Sequence, residues 1–170
     1  MNVLQSNYFE HTGFTKPDRY HHQYLQGTFY FITLDLTLDL EFQIFNEDQN
    51  KETSLAIFED LFDRFYRKFD KVYLTQLMDQ IVDCLKRDIT KDQQEDEIKR
   101  LKKSLKLDCL VFSFERKLNL STDDDIPPYS ERHEIIMRLL DTAFLNSHEI
   151  VVEIDPNTSF HLKDAFFEGI

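Results

Sequence analysis

Tryptophan is absent from this 170-residue chain, while glycine occurs three times, proline four times and cysteine twice. So few Gly and Pro leave little material for tight turns, and predict long elements. Loops that cradle phosphate need clustered glycines, so the same scarcity argues against a nucleotide-binding loop. Cys84 and Cys109 both sit in apolar runs and read as buried thiols of a reducing compartment. No stretch reaches 18 uninterrupted apolar residues, and the first residues carry no apolar core of a signal peptide. The expectation is a cytoplasmic protein with no membrane span. Catalytic signatures are missing too. There is no G-x-S-x-G, and "RHEII" (Arg132 to Ile136) lacks the second histidine of H-E-x-x-H.

What is present is phenylalanine and acid. Sixteen Phe and seven Tyr supply the aromatic core, and the length suffices for one domain. The net charge is −12 and is unevenly spread. Residues 1–50 carry two basic and seven acidic side chains, residues 51–107 thirteen and twelve, and residues 108–170 five and thirteen. Backbone-driven nucleic-acid binding runs on Lys and Arg, so this balance points away from nucleic acid and towards a basic protein partner. Solubility alone also accounts for it.

The stretch "TFYFITLDLTLDLEFQIF", residues 28–45, alternates strictly from Ile32 to Ile44, apolar at even positions and polar at odd ones. That period is a strand's. With no Gly, Pro or Asn in its middle to turn on, it reads as one long strand crossing the domain. Residues 107–120 ("LDCLVFSFERKLNL") and 148–155 ("HEIVVEID") read as two more strands, and "SFHLKDAFF" as a last strand or a helical turn. Between the first two strands, Leu55, Phe58, Leu61, Phe62, Phe65 and Phe69 recur at helical spacing, with Thr53 or Ser54 placed to cap. A break near 70–74 precedes a second helix, through Leu77, Met78 and Ile81 to Leu85. A T-x-x-Q box at Thr90 and Gln93 opens a third, which starts acidic and ends basic (Lys99, Arg100, Lys102, Lys103, Lys106) as the helix dipole favours. Ile135, Ile136, Leu139, Leu140, Ala143 and Phe144 suggest a fourth helix, from Ser130 to Asn146. The predicted fold is α+β. A polar arm (1–26) precedes a single domain (27–170), in which a mostly antiparallel sheet of long strands carries four helices mainly on one face.

Two groups of acids are candidate partner contacts. Asp35, Asp39 and Glu41 share one side of the first strand, where a solvated sheet face explains them equally well. Asp123, Asp124 and Asp125 lie in "STDDDIPPY", a loop stiffened by Pro127 and Pro128, and are placed to receive Lys or Arg from a partner. The expected function is a non-enzymatic acidic interaction module, such as an inhibitor, a neutralising protein or a small subunit of a complex. It has no catalytic residues and no cofactor or metal. The alternative is a metal- or ligand-binding regulator or enzyme in which Asp35, Asp39 or Glu41 meets His21, His22 or a C-terminal acid in a cleft. Strands of this length also leave edges through which a homo-oligomer can form.

Overall fold

The computed structural model describes residues 2–48, 51, 53–89, 91–121, 125–142 and 149–168. After a 3₁₀ turn at Val3–Gln5 come strands β1 (Phe9–His11), β2 (His22–Phe31) and β3 (Leu36–Asn46). Helices α1 (Ala56–Lys68), α2 (Lys71–Leu85) and α3 (Gln94–Ser104) follow. Strands β4 (Leu105–Leu118), β5 (Tyr129–Asp141), β6 (Glu149–Asp155) and β7 (His161–Phe167) complete the order. The seven strands form one sheet in chain order. Every neighbouring pair is antiparallel except β3 and β4, which run parallel. A parallel pair needs a crossover rather than a hairpin, and all three helices lie in that crossover. The chain is therefore α+β, as the mixture of periods predicts. Among the described residues no helix is long and apolar enough to cross a membrane.

Two elements differ from the sequence expectation. The alternating stretch is not one strand but the hairpin β2–β3, turned at Ile32–Asp35. The turn is closed by hydrogen bonds from the Leu34 amide to the Phe31 carbonyl and from the Asp35 amide to the Ile32 carbonyl. Asp35 takes the left-handed conformation (φ 51°), which a short polar side chain tolerates in place of glycine. The second difference is Ser130–Asn146. Its described residues to Asp141 form strand β5 rather than a fourth helix, and 143–148 lie outside the described residues. Ile135, Met137 and Leu139 face one way and Ile136, Arg138 and Leu140 the other. Apolar residues on both faces of a central strand imitate helical spacing. Smaller differences follow the same lines. β1 and the start of β2 fall inside residues 1–26. The first helix gains no side-chain cap from Thr53 or Ser54. The Asp70 carboxylate caps α2 by accepting from the Tyr73 amide at 2.8 Å. Thr90 lies outside the described residues.

The core forms where α1 and α2 meet one face of the sheet. Phe29, Phe31, Phe42 and Phe112 rise from it to meet Phe58, Phe62, Phe65 and Phe69, all fully buried. The Phe112 ring lies 5.5 Å from Phe42, 5.2 Å from Phe62 and 5.5 Å from Phe65. At the α3 end, Arg100 donates at 2.7 Å to the buried carboxylate of Asp141 and so ties α3 to β5. Gly27 has a specific reason: a Cβ there would collide with the Glu10 carbonyl and the Phe9 ring where β1 closes onto β2.

Candidate functional site

Antiparallel and parallel registers together fix which side chains share the opposite face of the sheet. One row across it runs Glu10, Thr28, Asp39, Cys109, Arg138, Val151, Phe166. The next runs Gln26, Glu41, Val111, Ile136, Glu153, and a third Tyr24, Gln43, Ser113, Glu134. Two grooves on this face are lined by strand residues alone, so no helix covers it there. One, of about 610 Å³, lies around Asp39, Glu41, Asp108, Cys109, Arg138 and Glu149. The other, of about 190 Å³, lies between His22, Phe45, Glu115 and Arg132.

This open face is built of two unlike halves. On the β4–β7 half, four of the described bases that face out have an acid beside them, whereas Lys106, opposite Leu140 at the start of β4, has none among the described residues. Lys117 meets Glu115 at 2.8 Å, Arg138 meets Glu149 at 2.6 Å, Lys163 meets Glu153 at 3.0 Å, and Arg132 pairs with Glu134. On the β1–β3 half, Glu10, Asp39 and Glu41 face out and no base stands among them. Glu41 accepts from amides instead, Gln43 at 2.6 Å and Gln26 at 3.4 Å. Asp39 is exposed, and no hydrogen bond or ion pair joins its carboxylate to another described residue.

Cys109 registers that field. Burial, followed by the nearby carboxylates of Glu41, Asp108 and Asp39, pushes its thiol up to about 11. A thiol held protonated so far above neutrality is a poor nucleophile at physiological pH. Cys84 lies instead on α2, with its Sγ 3.3 Å from an Asp164 carboxylate oxygen.

The acids expected to act together are separated. Asp39 and Glu41 do share a face, two residues apart on β3. Asp35 lies at the turn before them, where its carboxylate accepts from the Tyr30 hydroxyl at 2.7 Å. Asp125 follows the far end of β4, nine residues beyond Cys109 at Leu118 and roughly 30 Å away along the strand. Asp123 and Asp124 lie outside the described residues. His21, with φ 63°, precedes β2, and its neighbour His22 sits 3.5 Å from Asp18. Among the described residues no group of three or more His, Cys, Asp or Glu is arranged to hold a metal ion. The pairing of bases on β4–β7 was invisible in the sequence, because each pair joins residues whose adjacency only the register supplies or whose side is set by the strand. Comparison with protein-family models, with curated proteins and with solved structures finds no match to this chain.

Proposed function

We propose that the chain is a non-enzymatic interaction module that docks a basic protein on the open face of its sheet, centred on the β1–β3 half. One observation carries the reading. Lys117, Arg132, Arg138 and Lys163 on this face are already matched with acids, whereas Glu10, Asp39 and Glu41 are matched with no base. A cationic partner would complete what the fold leaves uncompensated, and attraction of this kind raises the association rate and selects the partner's sign. Half-buried Ile136 lies in the same row as Glu41, beyond Val111, so a partner gains some apolar contact as well as charge.

The test is capture from a lysate at low salt followed by stepped salt elution, with the double variant Asp39→Lys, Glu41→Lys run alongside. A basic protein that leaves at moderate salt, and that the variant does not retain, supports the docking face. Exposed charge contacts are screened within about 8–10 Å at such ionic strength. Capture that is unchanged by both salt and the variant removes the acidic half from the interface.

A further inference from the structure

Strand β5 outruns one of its neighbours. It pairs with β4 from Tyr129 to Asp141, but β6 pairs with it only along residues 135–140. On that side residues 129–134 have no strand partner. In an antiparallel pair, alternate residues turn both amide and carbonyl away from the partner strand, so this run presents a row of outward donors and acceptors. Ser130, Glu131 and Arg132 are exposed in succession, so both faces of the strand are open there.

Elsewhere the edges of the sheet are capped. Beside β2, the Thr15 amide donates to the Tyr24 carbonyl at 2.8 Å and the Thr15 hydroxyl accepts from the Tyr24 amide at 3.0 Å. Further along, the Tyr30 amide donates to the Tyr8 carbonyl at 2.9 Å. On β7 the Arg87 guanidinium donates to the Ala165 carbonyl at 3.0 Å, and the Asp164 carboxylate accepts from the Ala165 amide at 2.8 Å. β4 belongs to the same hairpin as the open run, and it is capped where it passes the end of β3. The Glu47 amide donates to the Arg116 carbonyl at 3.1 Å and the Glu47 carboxylate accepts from the Leu118 amide. Devices of this kind blunt an edge against strand addition. Among the described residues, no hydrogen bond reaches the backbone of 129–134 from the β6 side.

The space beside the run is a groove of about 350 Å³, bounded by residues 131–136 on one side and by residues 153–157 and Lys163 on the other. It continues the line of β6, where a further strand would lie. Its charges leave one acid over. Glu131 is taken by Arg116, Glu134 by Arg132 and Glu153 by Lys163. The Asp155 carboxylate accepts from the Asn157 amide at 2.8 Å and the Thr158 hydroxyl at 3.0 Å, and pairs with no base among the described residues. At the other end of the run the hairpin exposes Leu118, which lies opposite half-buried Tyr129, and Ile126. A basic residue and aliphatic residues in an extended segment match these two ends. A second copy of this chain matches them less well, since two chains of net charge −12 repel.

We propose that residues 129–134 of β5 accept an extended, basic segment of a partner protein as an added strand, with a Lys or Arg of that segment at Asp155 and aliphatic residues beside Tyr129 and Leu118. Strand addition draws its affinity from main-chain hydrogen bonds and its specificity from alternate side chains. The inference does not rest on the docking face, whose acids lie on β1 and β3.

The test is hydrogen exchange of the full chain, followed amide by amide by NMR, with a seven-residue acetylated and amidated peptide of alternating lysine and valine. Alternate amides between residues 129 and 134 should exchange about tenfold more slowly when the peptide is held at ten times its dissociation constant. The same peptide with glutamate for lysine should protect them less. A version N-methylated at every residue, which has no amide to donate, should not protect them at all. Asp155→Asn keeps the acceptor for the Asn157 amide but loses the charge, and should weaken the lysine peptide about threefold. The proposal is overturned if the lysine peptide leaves these amides unprotected, if either control peptide protects them equally, or if Asp155→Asn changes nothing. It is also overturned if the chain alone protects them as its concentration rises, which makes a second copy the occupant. The double variant Asp39→Lys, Glu41→Lys should show the same protection, which separates failure here from failure of the docking face.

Discussion

The two faces of the sheet solve the same burial problem by different means. On the helix side, Phe112 is covered by rings from α1 and from a neighbouring strand, a second layer of structure. On the open side, Val111 is only 1% exposed and Val151 only 8%, although the grooves beside Val111 are lined by strand residues alone. Their cover comes from neighbouring strands, with Glu41 and Ile136 flanking Val111 and Arg138 and Phe166 flanking Val151. A face can thus be dry at its centre without being a core. It also stays available to a partner, because what covers it are side chains that can move aside.

Three substitutions sharpen or break that contrast. Phe112→Ala removes a ring that meets three others and should cost about 3–5 kcal/mol, read as a lower urea midpoint. Val111→Ala, in the same strand and nearly as buried, should cost about 1.5 kcal/mol, the transfer value of two methyl groups, because its flexible neighbours can close the gap. If the two losses prove equal, the open face is packed as rigidly as the core and the contrast fails. The smallest effect concerns His133, at the margin between helix layer and sheet. Its ring lies 5.1 Å from Phe114. Burial first, and the Arg64 guanidinium second, lower its pKa from 6.5, with Asp60 opposing them. The unfolded chain therefore takes up a proton more readily than the folded one. Stability should be intact above about pH 6.5 and fall as the pH drops from there through the folded value. His133→Gln should flatten that limb in urea melts taken between pH 7.5 and 5, and leave the upper limb in place.

The same contrast explains which parts of the fold could be read in advance. Leu110, Phe112 and Phe114 opposite Ser113 and Glu115 made β4 legible, because its outer positions there are polar. β5 was illegible for the opposite reason: Ile136 and Leu140 are apolar on the open face, so the period of two disappeared. The break at Ile32–Asp35 escaped notice because the alternation continues through the turn. Leu34 and Leu36 remain half-buried beside the core, and no glycine marks the reversal. α1 was plain from its Phe spacing, and the alternation along β3 placed Asp39 and Glu41 together correctly. What no local pattern contains is who lies next to whom across strands. The parallel pairing of β3 with β4 brings Cys109 beside Asp39, and the β4–β5 and β5–β6 registers carry the row on to Arg138 and Val151. The site is made of those adjacencies.

The parallel seam has a kinetic meaning as well. β1–β3 and β4–β7 are each runs of antiparallel neighbours joined by connections within the run, so each block can assemble from contacts close in sequence. β3 and β4 can pair only after the whole of residues 47–104 has been looped across. Loop-closure entropy and contact order both concentrate at that one junction. The rings of Phe42 and Phe112, stacked across it at 5.5 Å, are therefore the contacts whose formation times the folding of the molecule. Until they meet, the edges of β3 and β4 remain exposed to any other strand in solution.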